Sequence, residues 1–186
     1  MPIAPTLLSP TAALSLGFDL EPAGGPASTG VMSRAPSQAA GREIRQGFRI
    51  GQLHLMVGYA DASELTELPA VYRLPHAPEW LLGMANLHGM LVPVFDLARH
   101  FGIACDAPAK PMLLVLAHGG DAAGIVIDGL PERLRWDTGQ ATDPATVPDA
   151  LAAVVQRPVL VDDMLWFDLD CTALLSRLEQ ALVERH

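Results

Sequence analysis

The chain has 186 residues, half of them apolar, and a formal net charge of −9 with Lys110 as its only lysine. That length suits one ordinary domain with a sizeable core, and no apolar run approaches the roughly 20 residues that a membrane-spanning helix needs. The negative balance disfavours roles that depend on DNA or RNA phosphates or on anionic lipid, and it favours a protein partner with a basic surface.

Residues 1–41 differ in composition from the rest of the chain. They contain six prolines and five glycines, and their only charged side chains are Asp19, Glu21 and Arg34. Such a stretch buries too little apolar surface to offset the entropy of ordering it, so we expect a disordered tail. The alternative is a short docking peptide at Leu16–Leu20. Because no positive side chain precedes Arg34, a secretory signal is not expected and a cytoplasmic location is the default.

From residue 42 onward the pattern is that of strands. Apolar residues alternate over 44–50 and again over 53–57, and Gly51-Gln52 between them predicts a hairpin with a type II′ turn. Residues 59–72 fit either a helical turn or a short strand. Pro75 and Pro78 then force the chain to turn, because each fixes its own φ and pushes the preceding residue toward an extended conformation.

Residues 83–94 carry the densest local signals. Gly83 and Gly89 bracket a segment that is expected to need positive φ or close backbone approach. Met90–Val94 is apolar on both faces, which predicts a fully buried strand, and Pro93 within it indicates an edge or a bulge. The side chains assigned to the core are Leu91, Val92 and Val94.

A short helix and a second hairpin follow. Asp96 is placed to cap a helix over Leu97–Phe101, and Gly102 stands where helices commonly stop. The polar, proline-containing connection at 106–110 indicates an approximate subdomain switch near 104–111. Residues 112–128 then read as a hairpin that turns at 118–121.

The last third of the chain repeats these signals. Residues 130–136 alternate, and residues 159–169 predict a hairpin that turns at Asp162-Asp163. A final helix with a leucine stripe follows a cap at Asp170 or Thr172. Many short strands with few helices indicate a mainly β protein of barrel type, in which closure removes exposed sheet edges.

No set of residues has the spacing of a catalytic or metal centre. The six histidines form no His-x-x-x-His pair, and Cys105 and Cys171 are read as separate free thiols. Asp168 is given a turn or cap role like its acidic neighbours, and the three tryptophans are read as core or interface anchors. No cofactor is expected. One alternative stays open, a small metal-dependent enzyme or ligand-binding barrel that uses the region of His76, His88 and His100; a metal site drawing on Asp96 belongs to the same alternative.

Three spaced motifs resemble the CheW-like family of bacterial chemosensory coupling proteins. They are Gly83-Met84-Ala85-Asn86-Leu87-His88-Gly89, Val92-Pro93-Val94 and Asp96-Leu97, which occupy the places of the family's Gly-x-x-Asn-Leu-Arg-Gly stretch, Val-Pro strand and Asp-Leu helix start. Several motifs in order are far more specific than one. The resemblance implies two packed, small five-stranded β-barrel subdomains with short helices and a C-terminal helix, as a CheW-like domain over residues 42–186.

The resemblance also implies a function. Such proteins are non-catalytic adaptors for chemotaxis and signal transduction, with two partners: the regulatory domain of a CheA-type histidine kinase and the cytoplasmic tip of a methyl-accepting chemoreceptor. Neither nucleic acid binding nor direct membrane insertion is expected, although recruitment to membrane receptor arrays is. An alternative within the family is an adaptor for a type IV pilus, twitching or other non-flagellar pathway.

Six residues are implied as the partner-binding set. They are Glu64, Leu65, Arg73, Asn86, His88 and Gly89. Glu64 and Leu65 fall where family members often carry a Glu-Ile pair, and Arg73 precedes the proline turn as a basic residue does in many members. For these three, a solvated or core role remains an alternative. Asn86 and Gly89 are expected to hold a local bend beside the receptor-binding groove.

His88 is the informative departure, because the family usually has arginine there. Arginine is always charged and offers a fixed five-donor fork, whereas histidine is shorter and at most a two-donor cation. A contact between this position and a receptor carboxylate would therefore be weaker or absent in this chain.

Overall fold

The computed structural model describes residues 42–105, 108 and 110–184, and the predicted tail at 1–41 lies outside them. The described part is mainly β, as expected, with few helices and a helix near the C-terminus. Its elements, in chain order, are β1 (Arg42–Ile50), β2 (Leu53–Gly58), β3 (Ala62–Glu67), β4 (Val71–Tyr72), β5 (Leu81–Leu87), β6 (Met90–Phe95), α1 (Leu97–Phe101), β7 (Pro111–Leu116), β8 (Ala123–Asp128), β9 (Glu132–Asp137), β10 (Val155–Val161), β11 (Met164–Leu169) and α2 (Cys171–Val183). Short 3-10 turns connect β7 to β8 and β9 to β10.

The strands form two sheets. Sheet I has five strands in the order β10-β11-β2-β1-β9, and sheet II has six in the order β3-β7-β8-β6-β5-β4. Sheet I has the expected number of strands, and sheet II gains a sixth because residues 71–72 pair with β5. Residues 59–72, ambiguous in sequence, therefore contribute strands rather than a helical turn.

The chain passes from sheet I to sheet II after β2 and returns at β9. The subdomain switch expected near 104–111 does not coincide with either change of sheet, since β6 before it and β7 after it both belong to sheet II. Strand β8 lies between β6 and β7 and runs parallel to β6. Parallel neighbours need a crossover connection, and α1 with the segment that follows it is part of that crossover.

The predicted hairpins are present with the expected turns. Gly51, which begins the turn from β1 to β2, has φ +57°. Strands β7 and β8 pair around the turn at 118–121, and β10 and β11 pair around Asp162 and Asp163, which both have positive φ. Aspartate tolerates this conformation better than most residues, which accounts for the acidic turn.

Each sheet encloses an apolar cluster, and a third cluster joins the sheets. The cluster inside sheet I comprises Met56, Leu134, Trp136, Val159, Val161 and Trp166. The cluster inside sheet II comprises Ala85, Leu87, Val92, Val94, Leu113, Val115 and Ala122. The third contains residues from both sheets and from both helices, including Phe48, Leu55, Leu114, Ile125, Leu97 and Leu174. All three tryptophans are buried, which confirms their assignment as anchors.

The prediction that Met90–Val94 is fully buried is wrong at its start. Met90 is 49% exposed and Leu91 is 67% exposed, so Leu91 is not a core residue, whereas Val92 and Val94 are. The reason is that β6 pairs with β5 along its length but with β8 only from Val94 onward. Its first residues therefore project with β5 as a hairpin, and Pro93 lies just before the second pairing begins.

Both helices begin at the expected caps. The Asp96 carboxylate accepts a hydrogen bond from the Arg99 N–H at 3.0 Å, and Gly102 ends α1 with φ +66°. The Asp170 carboxylate accepts one from the Ala173 N–H at 2.9 Å, which selects Asp170 over Thr172 as the cap of α2. Neither helix in the described part is long and apolar enough to cross a membrane.

The role assigned to Asp168 is wrong. It lies in β11 rather than in a turn or cap, its side chain is 1% exposed, and it accepts hydrogen bonds from Arg45 Nε at 2.9 Å and Arg157 Nε at 3.1 Å. Arg157 also donates to Glu43 at 2.9 Å and lies over the Trp136 ring, 4.6 Å from its centroid. This network lies beside the sheet I cluster.

Charge attraction keeps Arg45 ionised within the network. Burial acts to lower the pKa of the Arg45 guanidinium, but the hydrogen bond and charge of Asp168, with the carboxylates of Glu43 and Asp61, outweigh it and leave that pKa raised. Two arginines and two carboxylates thus balance each other in charge where strands β1, β10 and β11 come together.

Candidate functional site

Two of the predicted partner-binding residues contact each other. His88 lies at the tip of the β5–β6 hairpin and Glu64 lies in β3, and His88 Nε2 is 2.9 Å from Glu64 Oε1. The His88 side chain is 78% exposed, while that of Glu64 is half-buried. The contact is a hydrogen bond with neutral imidazole and an ion pair when the imidazole is protonated. It joins residues 24 positions apart on the surface of sheet II.

The hairpin tip is shaped by the Asn-Leu-x-Gly motif. The Asn86 side-chain oxygen accepts a hydrogen bond from the Gly89 N–H at 2.8 Å, and Gly89 has φ +88°. This side-chain bond closes the turn and leaves His88, itself at φ +51°, pointing outward. Asn86 and Gly89 therefore have the bend-forming geometry that was expected, and they present His88.

The remaining two predicted residues differ in position. Leu65 is partly exposed beside Glu64 in β3, where it pairs with Leu114 of β7. Arg73 follows β4 and is exposed, and among the described residues it has no hydrogen bond or ion pair. The structure therefore brings Glu64, Leu65, Asn86, His88 and Gly89 to one region, and among the described residues Arg73 makes no hydrogen bond or ion pair with them.

Glu64 lies between two surface hollows that sequence reasoning did not identify. One, of about 130 Å³, is lined by residues that include Leu87, Met90 and His118. The other, of about 240 Å³, is lined by Gln46, Tyr59, Ala62, Ser63, Glu64 and Leu65, so it joins strands of both sheets. The exposure of Met90 could have been predicted from Gly89. Glycine at this position favours the positive φ of a hairpin turn, and a strand that begins directly after such a turn begins exposed.

A larger hollow lies beside α1. Its volume is about 350 Å³, and its lining is mainly apolar, with Ile50, Leu68, Leu82, Ile103 and Val126 among its residues. The two carboxylates in the lining already accept backbone hydrogen bonds: Asp96 from Arg99, and Asp128 from the Gly51 N–H at 2.7 Å. The acidic groups in this hollow thus serve to hold turns and a helix start.

The three histidines of the enzyme alternative lie in separate surroundings. His88 contacts Glu64, His76 lies exposed in the proline turn, and His100 packs edge-on against Trp80, with 4.7 Å between ring centroids. Within the described ranges, no three His, Cys, Asp or Glu side chains are placed to hold a metal ion.

Burial, with Asp61 and Asp170 nearby, raises the pKa of the Cys171 thiol to about 11, so this thiol is protonated at neutral pH and is a poor nucleophile.

We expect His100 to make folding stability depend on pH. Both ring nitrogens are buried without a hydrogen-bond partner in the described part of the chain, and burial, assisted by the Arg177 charge, lowers the pKa of His100. Its contribution is complete above the unfolded histidine pKa of about 6.5 and is lost as pH falls through the lower folded value. Urea unfolding should therefore show a larger loss of stability between neutral and mildly acidic pH in the native protein than in His100→Phe, which keeps the ring packing. Equal pH profiles would contradict this.

Comparison with known proteins identifies the family. The family model for the CheW-like domain matches residues 46–179, which is well over half of the chain. The chain belongs to the CheW-like family. A chemotaxis protein CheW from Klebsiella aerogenes is 30% identical over 157 residues, covering 80% of this chain and 92% of that protein. The CheW-like family consists of non-catalytic scaffold and adaptor proteins, and this chain is one of them.

Two further similarities are to a solved structure and to a protein with a different name. The scaffolding protein TtCheW from Thermoanaerobacter tengcongensis matches the structure with a TM-score of 0.62 at 23% identity, over 69% of this chain and 88% of that chain. That likeness shows the CheW-like fold. Protein PilI from Pseudomonas aeruginosa is 30% identical over 83 residues, covering 44% of this chain and 47% of that protein. This chain is therefore also similar to a protein that does not carry the name CheW.

Proposed function

We propose that this chain couples the cytoplasmic tip of a chemoreceptor to the regulatory domain of a CheA-type histidine kinase. The observation that carries the proposal is the exposed His88–Glu64 contact on the surface of sheet II, flanked by two hollows. By the family resemblance, Glu64 falls where members often carry a Glu-Ile pair and His88 stands where they usually carry arginine. Both are presented by paired strands and a closed hairpin. The protein acts in the cytoplasm, where receptor arrays recruit it.

The mechanism relies on rigidity rather than chemistry. One apolar cluster joins the two sheets and each sheet encloses another, so a partner bound on one face is fixed in relation to a partner bound on another. A displacement of the receptor then changes the relative free energies of the kinase's active and inactive arrangements, provided the receptor binds differently in each. The adaptor contributes no catalytic group to this process.

Within the site, the proposed roles differ. Glu64 and His88 contact the receptor tip, and Leu65 contributes apolar area beside them. Asn86 and Gly89 hold the hairpin tip that presents His88. Arg73 lies outside this group and is proposed as a separate charged contact at the rim.

The direct test uses the full chain as bait for two proteins from the same organism, a kinase regulatory domain and a receptor-tip fragment. We expect each to be captured alone, and both together in one complex when all three are mixed. Capture of neither would refute the coupling function. The His100→Phe variant is a suitable positive control, because residue 100 packs against Trp80 and Phe101, away from the His88–Glu64 contact.

The similarity to Protein PilI supports a second candidate, an adaptor for a type IV pilus or other non-flagellar pathway. The adaptor mechanism would be the same, with a different receptor and kinase. Competition between the receptors and kinases of each pathway for the same bait separates the two candidates. The pathway whose pair binds more tightly is the one in which this chain acts.

Replacing His88 tests the receptor contact. His88→Arg restores a permanent charge and a longer reach, so receptor affinity should stay equal or become up to about fivefold tighter, as expected for an exposed ion pair. His88→Ala removes the contact and should weaken receptor binding while leaving the urea unfolding midpoint nearly unchanged, because the side chain is 78% exposed. Titration calorimetry against the receptor fragment measures both effects.

The matched control is His76→Ala, since His76 is also exposed and also has positive φ, at +61°. It removes an imidazole from the proline turn and should leave receptor affinity unchanged. Identical affinities for native protein, His88→Arg and His88→Ala would show that position 88 makes no contact with the receptor.

A further inference from the structure

Two arginines extend outward from β9. The buried residues of this strand, Leu134 and Trp136, belong to the sheet I cluster, so alternation puts Arg133 and Arg135 on the opposite, outer face, where both are exposed. Residues two apart in a strand are separated by about 7 Å. Across the sheet, these arginines stand opposite residues 46 and 44 of β1.

Neither arginine is neutralised by a neighbour. Among the described residues, Arg133 and Arg135 take part in no ion pair or hydrogen bond, whereas Arg45, Arg99 and Arg157 are held by carboxylates. Arg73 is also exposed and without such a bond in the described part of the chain, but Arg133 and Arg135 are two such cations two residues apart on one strand. They are available to carboxylates from outside the molecule.

Tyr59 holds one of the pair in position. The guanidinium carbon of Arg133 lies over the Tyr59 ring, 5.8 Å from its centroid, and Tyr59 is itself 58% exposed. Stacking on an aromatic face restrains the arginine while its N–H groups stay free at the edge of the guanidinium plane. Less conformational entropy is then lost when a carboxylate binds.

The arginine pair is continuous with the proposed receptor surface. Gln46, which stands opposite Arg133, and Tyr59, which lies under it, line the same 240 Å³ hollow as Glu64 and Leu65. One surface therefore extends from the β5–β6 hairpin tip of sheet II, across the hollow, to the outer face of sheet I. Its acidic end is Glu64, and its basic end is the arginine pair.

We infer that Arg133 and Arg135 bind two carboxylates on the receptor tip that are spaced like side chains on successive turns of a helix, an inference that rests on the proposed function. Side chains three or four apart on a helix lie about 6 Å apart, which is close to the arginine spacing. An arginine fork suits carboxylates because it donates two parallel N–H bonds. Anionic lipid is the weaker candidate, since two arginines supply little attraction against the charge of the whole chain.

The test compares two double variants of the full chain that lose the same charge. Arg133→Gln/Arg135→Gln alters the pair, and Arg49→Gln/Arg177→Gln removes two exposed arginines elsewhere. With the receptor-tip fragment as the probe, the first variant should bind about three- to tenfold more weakly than native protein, as expected for two exposed ion pairs. The second should bind within twofold of native. High salt should reduce the difference, because screening weakens exposed pairs.

Four further results complete the test. Arg133→Lys/Arg135→Lys should fall between native protein and the glutamine variant, because it keeps the charge and loses the fork. Native affinity in the glutamine variant, with His88→Ala still impaired, would overturn this inference and leave the proposed function standing; loss of receptor binding in the native chain would overturn both. Arginine-dependent sedimentation with vesicles of equal parts phosphatidylcholine and phosphatidylserine would assign the pair to lipid and overturn the inference.

Discussion

Asp168→Ala is expected to destabilise the folded protein by about 3 kcal/mol, at the lower end of the cost of removing one partner from a buried ion pair, because the arginines left behind are only partly buried. The carboxylate is 1% exposed and accepts hydrogen bonds from both Arg45 and Arg157. Its removal leaves two guanidinium groups in the network with Glu43 as the one remaining carboxylate. Urea unfolding followed by tryptophan fluorescence measures the loss, because Trp136 and Trp166 lie in the adjoining cluster.

The control for this prediction is Asp163→Ala. Asp163 lies exposed in the turn between β10 and β11, five residues from Asp168, and its replacement removes the same charge. Because its φ is +61°, a conformation that aspartate tolerates somewhat better than alanine, we expect a cost below about 1 kcal/mol. If Asp168→Ala fails to fold, its absence from the soluble fraction, with Asp163→Ala present, supports the prediction. Equal stability of the two variants would contradict it.

The network also shows what sequence patterns fail to reveal. Hairpins are local, so alternation and turn residues were enough to predict the pairs β1–β2, β7–β8 and β10–β11. The parallel contacts of β11 with β2 and of β6 with β8 depend on how distant segments meet, and no local signal reports them. The same holds for Asp168, whose partner Arg45 is 123 residues away.

The candidate site likewise has a part that local sequence signals predicted and a part that they did not. Asn86 and Gly89 were identifiable because a turn needs their chemistry at a fixed spacing, and the structure shows the hydrogen bond between them. The hollow shared by Gln46, Tyr59 and Glu64 was not identifiable, since it forms where β1 of sheet I meets β3 of sheet II. Sequence motifs therefore indicated the hairpin that presents His88 but not the surface around it.

Gly83→Ala should have the second large effect on stability, because an alanine at this position meets both backbone strain and a steric clash. Gly83 has φ +142°, a conformation that L side chains rarely adopt, and an added Cβ would overlap the Tyr72 carbonyl oxygen in β4. Backbone strain and overpacking together should cost about 3 kcal/mol or more. The close approach of β4 to β5 thus explains the first glycine of the motif.

Gly89→Ala separates these two obstacles, since Gly89 shares the positive φ, at +88°, but has open space where the Cβ would be. Strain alone should cost it about 1–2 kcal/mol, and Gly139→Ala, which faces neither obstacle, should be nearly neutral. Urea unfolding of the three variants should rank their costs as Gly83 above Gly89 above Gly139. Equal costs at Gly83 and Gly89 would mean that β4 moves aside, and the approach of β4 would then not explain Gly83. The predicted order would instead assign separate roles to the motif's glycines: the first permits a sixth strand to pack, and the second shapes the tip that presents His88.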